Sequence, residues 1–185
     1  KMWNSTSGLL LWMSHPAWPS MVWQIYSWDY ETFGSFYGCR KACEPIHIQK
    51  NLDDQKVVVV NTSLKEIKGA KVIYEVYSLE GKSLFKRTSK LNVLANGLTE
   101  CFVQDKPISA SGVYMERLIL QDKRGKVISI NDYWQDNGEG NFQGFNALEE
   151  ASINCKLIQQ KESQIQLELQ NTGAMPALAL KLNVR

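Results

Sequence analysis

The stretch Lys71-Val72-Ile73-Tyr74-Glu75-Val76-Tyr77 decides the fold class of this 185-residue chain. Val72, Tyr74 and Val76 occupy alternate positions, and side chains at alternate positions of a β-strand share one face of the sheet. Their β-branched and aromatic side chains also favour a strand over a helix. The stretch therefore predicts a strand that buries one face in a hydrophobic core.

Six other short segments around this stretch have the same strand character. The predicted strands are Ile46–Lys50, Lys56–Asn61, Ala70–Ser78, Lys82–Leu91, Gly97–Val103, Gly112–Gln121 and Val127–Trp134. Turn-forming residues, mostly Gly, Asp and Asn, separate them. About seven such strands in about a hundred residues are typical of an immunoglobulin-like β-sandwich, which we predict over residues 45–150.

Two of these strands allow finer predictions. In the sixth strand, Val113, Met115, Leu118 and Leu120 share one apolar face if the strand contains one bulge. In the last strand, Trp134 lies an even number of residues from Ile128 and Ile130, so we expect its indole to point into the core. The alternative is that Trp134 and Tyr133 form an exposed sugar platform.

The residues after the sandwich predict a separate β-structure. A polar, glycine-rich linker covers residues 136–146, and three more strands are predicted at Ser152–Gln159, Gln164–Gln170 and Ala177–Val184. Three strands do not close a sandwich. We therefore expect residues 151–185 to be the first strands of a further sandwich.

The residues before the sandwich are rich in tryptophan, since five of the six tryptophans precede residue 45. The apolar run Gly8–Met13 predicts a strand buried on both faces, and Pro16 and Pro19 predict an irregular loop after it. Helical spacing over Phe33–Cys43, followed by Pro45, predicts a helix. Strand, loop and helix form one βα unit, the repeating element of a (β/α)₈ barrel, in which active sites lie on the loops that follow the strands.

Three motifs in these segments resemble glycoside hydrolase family 2, in particular its exo-β-glucosaminidase and β-mannosidase branch. The motifs are Trp12-Met13-x-x-x-Ala17-Trp18-Pro19-Ser20-x-x-Trp23-Gln24-x-Tyr26, Gly34-Ser35-Phe36-Tyr37-Gly38-x-x-Lys41-Ala42-Cys43-Glu44-Pro45-Ile46-His47-Ile48-Gln49 and Ser129-x-Asn131-Asp132-Tyr133-Trp134. The resemblance implies that residues 1–44 are the eighth strand, loop and helix of a catalytic (β/α)₈ barrel. It also implies that the turn at Glu44 and His47 leads into the sandwich, and that His47 is structural.

The resemblance further implies a retaining β-glycosidase that acts on terminal β-linked glucosaminides, mannosides or related glycosides. Both catalytic glutamates of such enzymes would precede this chain, so we expect no catalytic residue in it and no activity of the chain alone. Asp29, Glu31 and Glu44 are instead expected to be solvated or capping groups. No cofactor or metal is expected.

Part of the sugar subsite is nevertheless expected here. The resemblance makes Trp12 the indole beneath the sugar that is cleaved, because aromatic faces stack on the C–H face of a pyranose. The alternative interpretation of Trp12 is a tryptophan packed in the core of the barrel. Trp18, in the loop after it, is the second candidate. Ser14 and His15 stand where many family members carry an Asn-Asn or Asn-Asp pair next to the sugar, and they are candidates for hydrogen bonds to it.

Composition excludes several other functions. The net charge of +2 lacks the clustered Lys and Arg of nucleic-acid-binding proteins, and the apolar runs are far shorter than the ~20 residues of a membrane span. Four cysteines without zinc spacing are expected to be reduced and mostly buried. The resemblance implies that the partners are a β-glycoside and the rest of the barrel. The resemblance implies a secreted or periplasmic location.

Two alternatives use the same residues differently. The tryptophans could form the exposed platform of a standalone carbohydrate-binding module, or the chain could be a purely structural interaction domain. A platform requires coplanar, exposed indoles.

Overall fold

The fold is mainly β. The computed structural model describes residues 8–20, 24–105, 112–136, 138, 140–178, 180 and 182. The elements are α1 (Gly34–Ala42), β1 (Ile46–Lys50), β2 (Lys56–Asn61), β3 (Ile67–Ser78), β4 (Ser83–Val93), β5 (Gly97–Val103), β6 (Tyr114–Gln121), β7 (Val127–Gln135), a 3₁₀ helix (Gln143–Ala147), β8 (Ile153–Lys161) and β9 (Gln164–Asn171). β1, β2 and β5 begin and end at the predicted residues.

The strands form three sheets. β1, β2 and β5 lie side by side in that order, antiparallel, with a bulge between Val57 and Val58 in β2. The second sheet has the order β4-β3-β6-β7, and β8 and β9 form an antiparallel hairpin. Three strands and four strands in two sheets are the composition of an immunoglobulin-like sandwich, with the fourth strand paired to the third.

The chain divides into two compact units, and the first comprises Lys1–Tyr74, Arg87–Lys106 and Arg117–Asp132. Its core combines side chains of both sheets. Ile48, Val57, Val58, Val59, Ala70, Val72, Ile73, Tyr74, Val93, Leu118 and Leu120 are buried. The rings of Tyr74 on β3 and Phe102 on β5 meet edge to face, with their centroids 6.5 Å apart. The alternating stretch that opened the sequence analysis thus buries the face that was predicted.

The second unit comprises Glu75–Lys86, Pro107–Glu116 and Tyr133–Arg185. It includes the 3₁₀ helix, which overlaps the end of the segment predicted as a linker, and the hairpin β8–β9. Gly144 lies so close to Leu79 and Val113 that an added Cβ atom would be 3.3 Å from the Leu79 Cδ1 atom. This packing fixes the 3₁₀ helix against those two buried side chains.

The bulge predicted in the sixth strand is wrong. Tyr114, Glu116, Leu118 and Leu120 are buried at alternate positions of β6, so the strand is regular. The prediction considered only apolar residues as core residues. It therefore left out Glu116, whose side chain is ionisable but occupies a core position.

The inward orientation predicted for Trp134 is also wrong. Its side chain is 38% exposed and packs edge to face on Phe145, with ring centroids 5.0 Å apart. Phe145 belongs to the 3₁₀ helix, which the sequence analysis treated as linker. Alternation along a strand could not reveal this contact, because the contact depends on how the following segment folds back.

The strand predicted at Gly8–Met13 is absent from the structure. The segment is irregular, Leu9 and Leu10 are 82% and 97% exposed, and Met13 has a φ angle of 64°, which no β-strand contains. A strand buried on both faces needs neighbouring strands to satisfy its backbone groups. Among the described residues no strand pairs with this segment.

The strand predicted at Ala177–Val184 is only partly testable. Residues 177, 178, 180 and 182 have no strand conformation, and the remaining positions lie outside the described residues.

Candidate functional site

The loop that carries the predicted subsite folds back on the segment before α1. The Ser14 carbonyl oxygen accepts hydrogen bonds from the backbone amides of Ile25 (3.3 Å) and Tyr26 (3.0 Å). The amide of Phe33 donates to the Ile25 carbonyl at 3.2 Å, and Tyr26 bridges to Thr32. Backbone hydrogen bonds thus fix the loop at Ser14, which is itself a predicted subsite residue and directly precedes His15.

Ser14 and His15 lie together in this loop. The Ser14 Oγ atom is 3.1 Å from the His15 Nδ1 atom. The His15 imidazole also packs on the ring of Tyr30, with centroids 5.0 Å apart and planes tilted by 37°. Both side chains are exposed, so the pair can reach a ligand from solvent.

The two candidate tryptophans are exposed rather than buried. The Trp12 side chain is 78% exposed and that of Trp18 is 69% exposed. The assignment of both indoles to the subsite stays a prediction. The proline between them, Pro16, is buried and anchors the loop.

Gln24, which sequence reasoning did not single out, is the buried polar residue of the loop. It is 5% exposed, and its backbone carbonyl accepts a hydrogen bond from Ser35 Oγ at 3.0 Å. Among the described residues its side-chain Oε1 atom has no hydrogen-bond partner. A buried acceptor without a partner costs about 1–3 kcal/mol.

Two of the motifs that carry the family resemblance meet at a polar cluster, the junction cluster, formed by Lys41, Glu44, His47, Ser129 and Asn131. Glu44 is its centre. Its Oε1 atom accepts from Lys41 Nζ at 2.6 Å, and its Oε2 atom accepts from Ser129 Oγ at 2.8 Å. Ser129 Oγ in turn accepts from the backbone amide of Ile48 at 3.3 Å. The cluster therefore joins the end of α1 to both sheets of the first unit.

His47 completes the junction cluster. Its Nδ1 atom is 3.4 Å from Glu44 Oε2, and its Nε2 atom is 3.4 Å from Asn131 Nδ2. An amide nitrogen only donates, so the Nε2 atom accepts and the proton lies on Nδ1, directed at Glu44. The neutral imidazole therefore donates a hydrogen bond to Glu44 and accepts one from Asn131.

The pKa values of His47 and Glu44 are both lowered, for different reasons. Burial lowers the pKa of His47, against the attraction of the Glu44 carboxylate, which raises it. For Glu44, burial alone would raise the pKa, but hydrogen bonds from Lys41, Ser129 and His47 outweigh it and lower the pKa. Glu44 is therefore an ionised structural group, and not only the solvated or capping group that the sequence analysis expected.

The cysteines differ from expectation in burial. All four are unpaired thiols, but Cys43 and Cys155 are exposed, while Cys39 and Cys101 are half-buried. Burial raises the pKa of Cys101 to about 12. Within the described part of the chain, no three His, Cys, Asp or Glu side chains cluster as metal ligands would.

A helix suited to crossing a membrane is missing from the described ranges: none is both long enough and apolar enough.

The fold defines the chain as a mainly β protein with an immunoglobulin-like sandwich. Residues 53–137 match the family described as Mannosidase Ig/CBM-like domain. The chain is 34% identical to an exo-β-D-glucosaminidase of Amycolatopsis orientalis over 133 residues, and 30% identical to a mannosylglycoprotein endo-β-mannosidase of Lilium longiflorum over 140 residues. The crystal structure of the exo-chitosanase CsxA of Amycolatopsis orientalis superposes with a TM-score of 0.73 at 25% identity, over 89% of this chain. The resemblance to the exo-β-glucosaminidase and β-mannosidase branch of glycoside hydrolase family 2 is confirmed.

The similarity covers most of this chain but little of its relatives. It spans 71% and 72% of the chain, and 13% and 14% of the two curated relatives. In the CsxA structure the matched part is 22% of that chain.

Proposed function

We propose that this chain is a C-terminal part of a retaining β-glycosidase that hydrolyses a terminal β-linked glucosaminide, mannoside or related glycoside. The observation that carries the proposal is the match of most of the chain to an exo-β-D-glucosaminidase and an endo-β-mannosidase. In this proposal, residues 1–44 belong to the catalytic barrel, residues 45–150 form the sandwich and residues 151–185 begin a further sandwich. The enzyme would be secreted or periplasmic.

The chain supplies scaffold and part of the sugar subsite. Trp12 and Trp18 are exposed in this chain alone, and in the proposed enzyme their indoles stack on the sugar. Ser14 and His15 offer a hydroxyl and an imidazole within one hydrogen-bonded loop. Their hydrogen bonds would select the orientation of a sugar hydroxyl or amine beside the indole.

The catalytic groups of the proposed reaction lie outside this chain. A retaining mechanism needs two carboxyl groups about 5–5.5 Å apart, one as nucleophile and one as acid/base. Both carboxylate oxygens of Glu44 already accept hydrogen bonds in the junction cluster, and the Asp29 carboxylate accepts one from Ser27. Residues of this chain would therefore bind and orient the sugar, while carboxylates from elsewhere in the enzyme break the bond.

A chimera tests this function. The aligned segment of the Amycolatopsis exo-β-D-glucosaminidase is replaced by this chain, and hydrolysis of p-nitrophenyl β-D-glucosaminide is measured. We expect the chimera to be active and the isolated chain to be inactive. A folded but inactive chimera would contradict the proposal, and so would activity of the isolated chain that Asp29→Asn or Glu31→Gln abolishes.

Trp12→Ala in the same chimera tests the subsite. We expect a loss in kcat/KM with little loss in melting temperature, because an indole that stacks on the sugar contributes to binding the transition state and little to packing. A packed tryptophan would behave in the opposite way, since its truncation costs about 3–5 kcal/mol of stability. Trp18→Ala is the companion variant. An unchanged kcat/KM in Trp12→Ala would remove Trp12 from the subsite.

A further inference from the structure

Three aromatic side chains of the second unit form an exposed corner, the aromatic corner, made by Trp134, Phe142 and Phe145. Trp134 is 38% exposed and Phe142 is 41% exposed. Phe145 lies between them: its ring is edge-on to Trp134 (80°) and nearly parallel to Phe142 (13°, centroids 6.3 Å apart). The planes of the two exposed rings, Trp134 and Phe142, are therefore steeply inclined to one another.

The segment that carries the aromatic corner is held in place by its own hydrogen bonds and packing. The Asp136 carboxylate accepts hydrogen bonds from the backbone amides of Gly138 (3.0 Å) and Asn141 (2.8 Å). Beyond it, the Gly144 backbone packs against Leu79 and Val113. Because these contacts order the segment before a ligand binds, less conformational entropy is lost on binding.

The side chains around the rings indicate the chemistry of the ligand. Residues 140–148 (Gly-Asn-Phe-Gln-Gly-Phe-Asn-Ala-Leu) contain no ionisable side chain. Asn141, Gln143 and Asn146 place exposed amides among the aromatic residues. Aromatic faces combined with uncharged hydrogen-bonding groups suit a polyhydroxylated ring, whereas nucleic acid would require clustered Lys and Arg.

We propose that the aromatic corner binds a β-linked oligosaccharide, with the C–H face of a pyranose stacked on an exposed aromatic ring of Trp134 or Phe142. Equatorial β-linkages keep such a chain extended, so one sugar residue can stack on a ring while its neighbours continue away from it. The choice of β-linked glucosamine or mannose as the sugar rests on the proposed function, whereas the stacking itself does not.

Binding to the full chain tests the proposal. The β-1,4-linked glucosamine hexamer and the β-1,4-linked mannose hexamer are titrated while ring signals are followed by NMR, with α-1,4-linked maltohexaose as the control sugar. We expect saturable binding of at least one β-linked hexamer and none of maltohexaose. No saturable binding of either β-linked hexamer, or equal binding of maltohexaose, would overturn the proposal.

Variants locate the binding. Phe142→Ala and Trp134→Ala should raise the dissociation constant roughly tenfold, as expected for the loss of one aromatic contact. Phe142→Tyr keeps the ring and should keep the affinity. Phe85→Ala is the matched control, since Phe85 is 37% exposed in the same unit, and should also keep it. Phe142→Ala is the decisive variant if Trp134→Ala fails to fold.

The test separates this inference from the proposed function. If Trp12→Ala abolishes oligosaccharide binding and Phe142→Ala leaves it unchanged, the aromatic corner is not the site, while the proposed function stands. If the chimera is inactive but Phe142→Ala still weakens binding, the aromatic corner stands and the proposed glycosidase fails.

Discussion

At the scale of single residues, Glu44 in the turn after α1 is held by partners that are close in sequence and by one that is distant. Lys41 is one helical turn before Glu44 and His47 is three residues after it, so local spacing alone brings both to the carboxylate. Ser129 is 85 residues away along the chain and reaches Glu44 only because β7 lies beside the turn. The hydrogen bonds of the Glu44 carboxylate therefore depend on tertiary structure as well as on the local turn.

The first prediction concerns Glu44→Gln. The substitution keeps the shape but removes the charge that accepts from Lys41 and Ser129, and it places an amide where two donors point. We expect the free energy of unfolding to fall by about 1–3 kcal/mol, as for a buried hydrogen bond to a charged group. Urea unfolding of the wild-type chain and the variant measures this change in the free energy of unfolding. Glu100→Gln is the control, because Glu100 pairs with Lys56 on the surface and its loss should change little. Equal effects would contradict a special role for the junction cluster.

The second prediction concerns pH. The pKa of His47 is lower in the folded chain than its usual 6.5, so below about pH 6.5 the unfolded state binds more protons and stability falls as pH falls. The lowered pKa of Glu44 adds to this loss at more acidic pH, since its contribution is present above 4.5 and disappears as pH falls through the folded-state value.

Urea midpoints between pH 8 and pH 4 check this second prediction. His47→Gln should flatten the part of the profile just below about pH 6.5. His15→Gln removes the exposed histidine, leaves the junction cluster in place and should keep the slope. A slope that survives in His47→Gln would show that other groups cause it.

At the scale of elements, the hairpin between β3 and β4 depends on one glycine. Gly81 has a φ angle of 81°, in the region that glycine adopts without strain, and its amide donates to the Ser78 carbonyl at 3.0 Å. A Cβ atom there would lie 2.8 Å from the Cγ atom of Pro176. The turn therefore excludes a side chain for two independent reasons.

The third prediction compares two glycine substitutions. Gly81→Ala should destabilise the chain by at least about 1–2 kcal/mol, the cost of a left-handed conformation for a residue with a Cβ atom. Gly38→Ala, in the middle of α1, meets no atom within 4 Å and should stabilise the helix by about 0.5–1 kcal/mol. Thermal melts of the two variants should shift in opposite directions, and a stabilised Gly81→Ala would mean that the turn rearranges freely.

At the scale of the whole molecule, the alternating strands over residues 45–148 carry enough apolar side chains for a core of their own. The fourth prediction is that this segment unfolds cooperatively when residues 1–44 are removed, as expected for about a hundred residues with one core. Denaturant unfolding followed by circular dichroism and by fluorescence should give coincident transitions.

A segment that begins at Cys43 provides the matched comparison for this truncation. It retains Glu44, and with it the hydrogen bonds to Ser129 and His47 that the 45–148 segment loses. We expect it to be the more stable of the two. A broad transition in both segments would mean that residues before Cys43 belong to the core.

The sequence alone determined the mainly β class, the positions of most strands and the family resemblance. These depend on alternation, turn residues and ordered motifs, which are local. β1, β2 and β5 were predicted to the residue because polar turns bound them on both sides. Trp12, Trp18, Ser14 and His15 could be named as subsite candidates only from the motif, and they stay a prediction.

Only the tertiary structure decided whether certain side chains are buried or exposed, where their residue type and their position in the strand favour opposite environments. Glu116 occupies a core position although its side chain is ionisable, and Trp134 is partly exposed against Phe145 although it alternates with apolar residues. The Gly8–Met13 run is apolar enough for a buried strand but forms none, because strands exist through hydrogen bonds to neighbours. Periodicity specifies which residues share a face. What covers that face depends on contacts between residues far apart in the chain, which no local pattern contains.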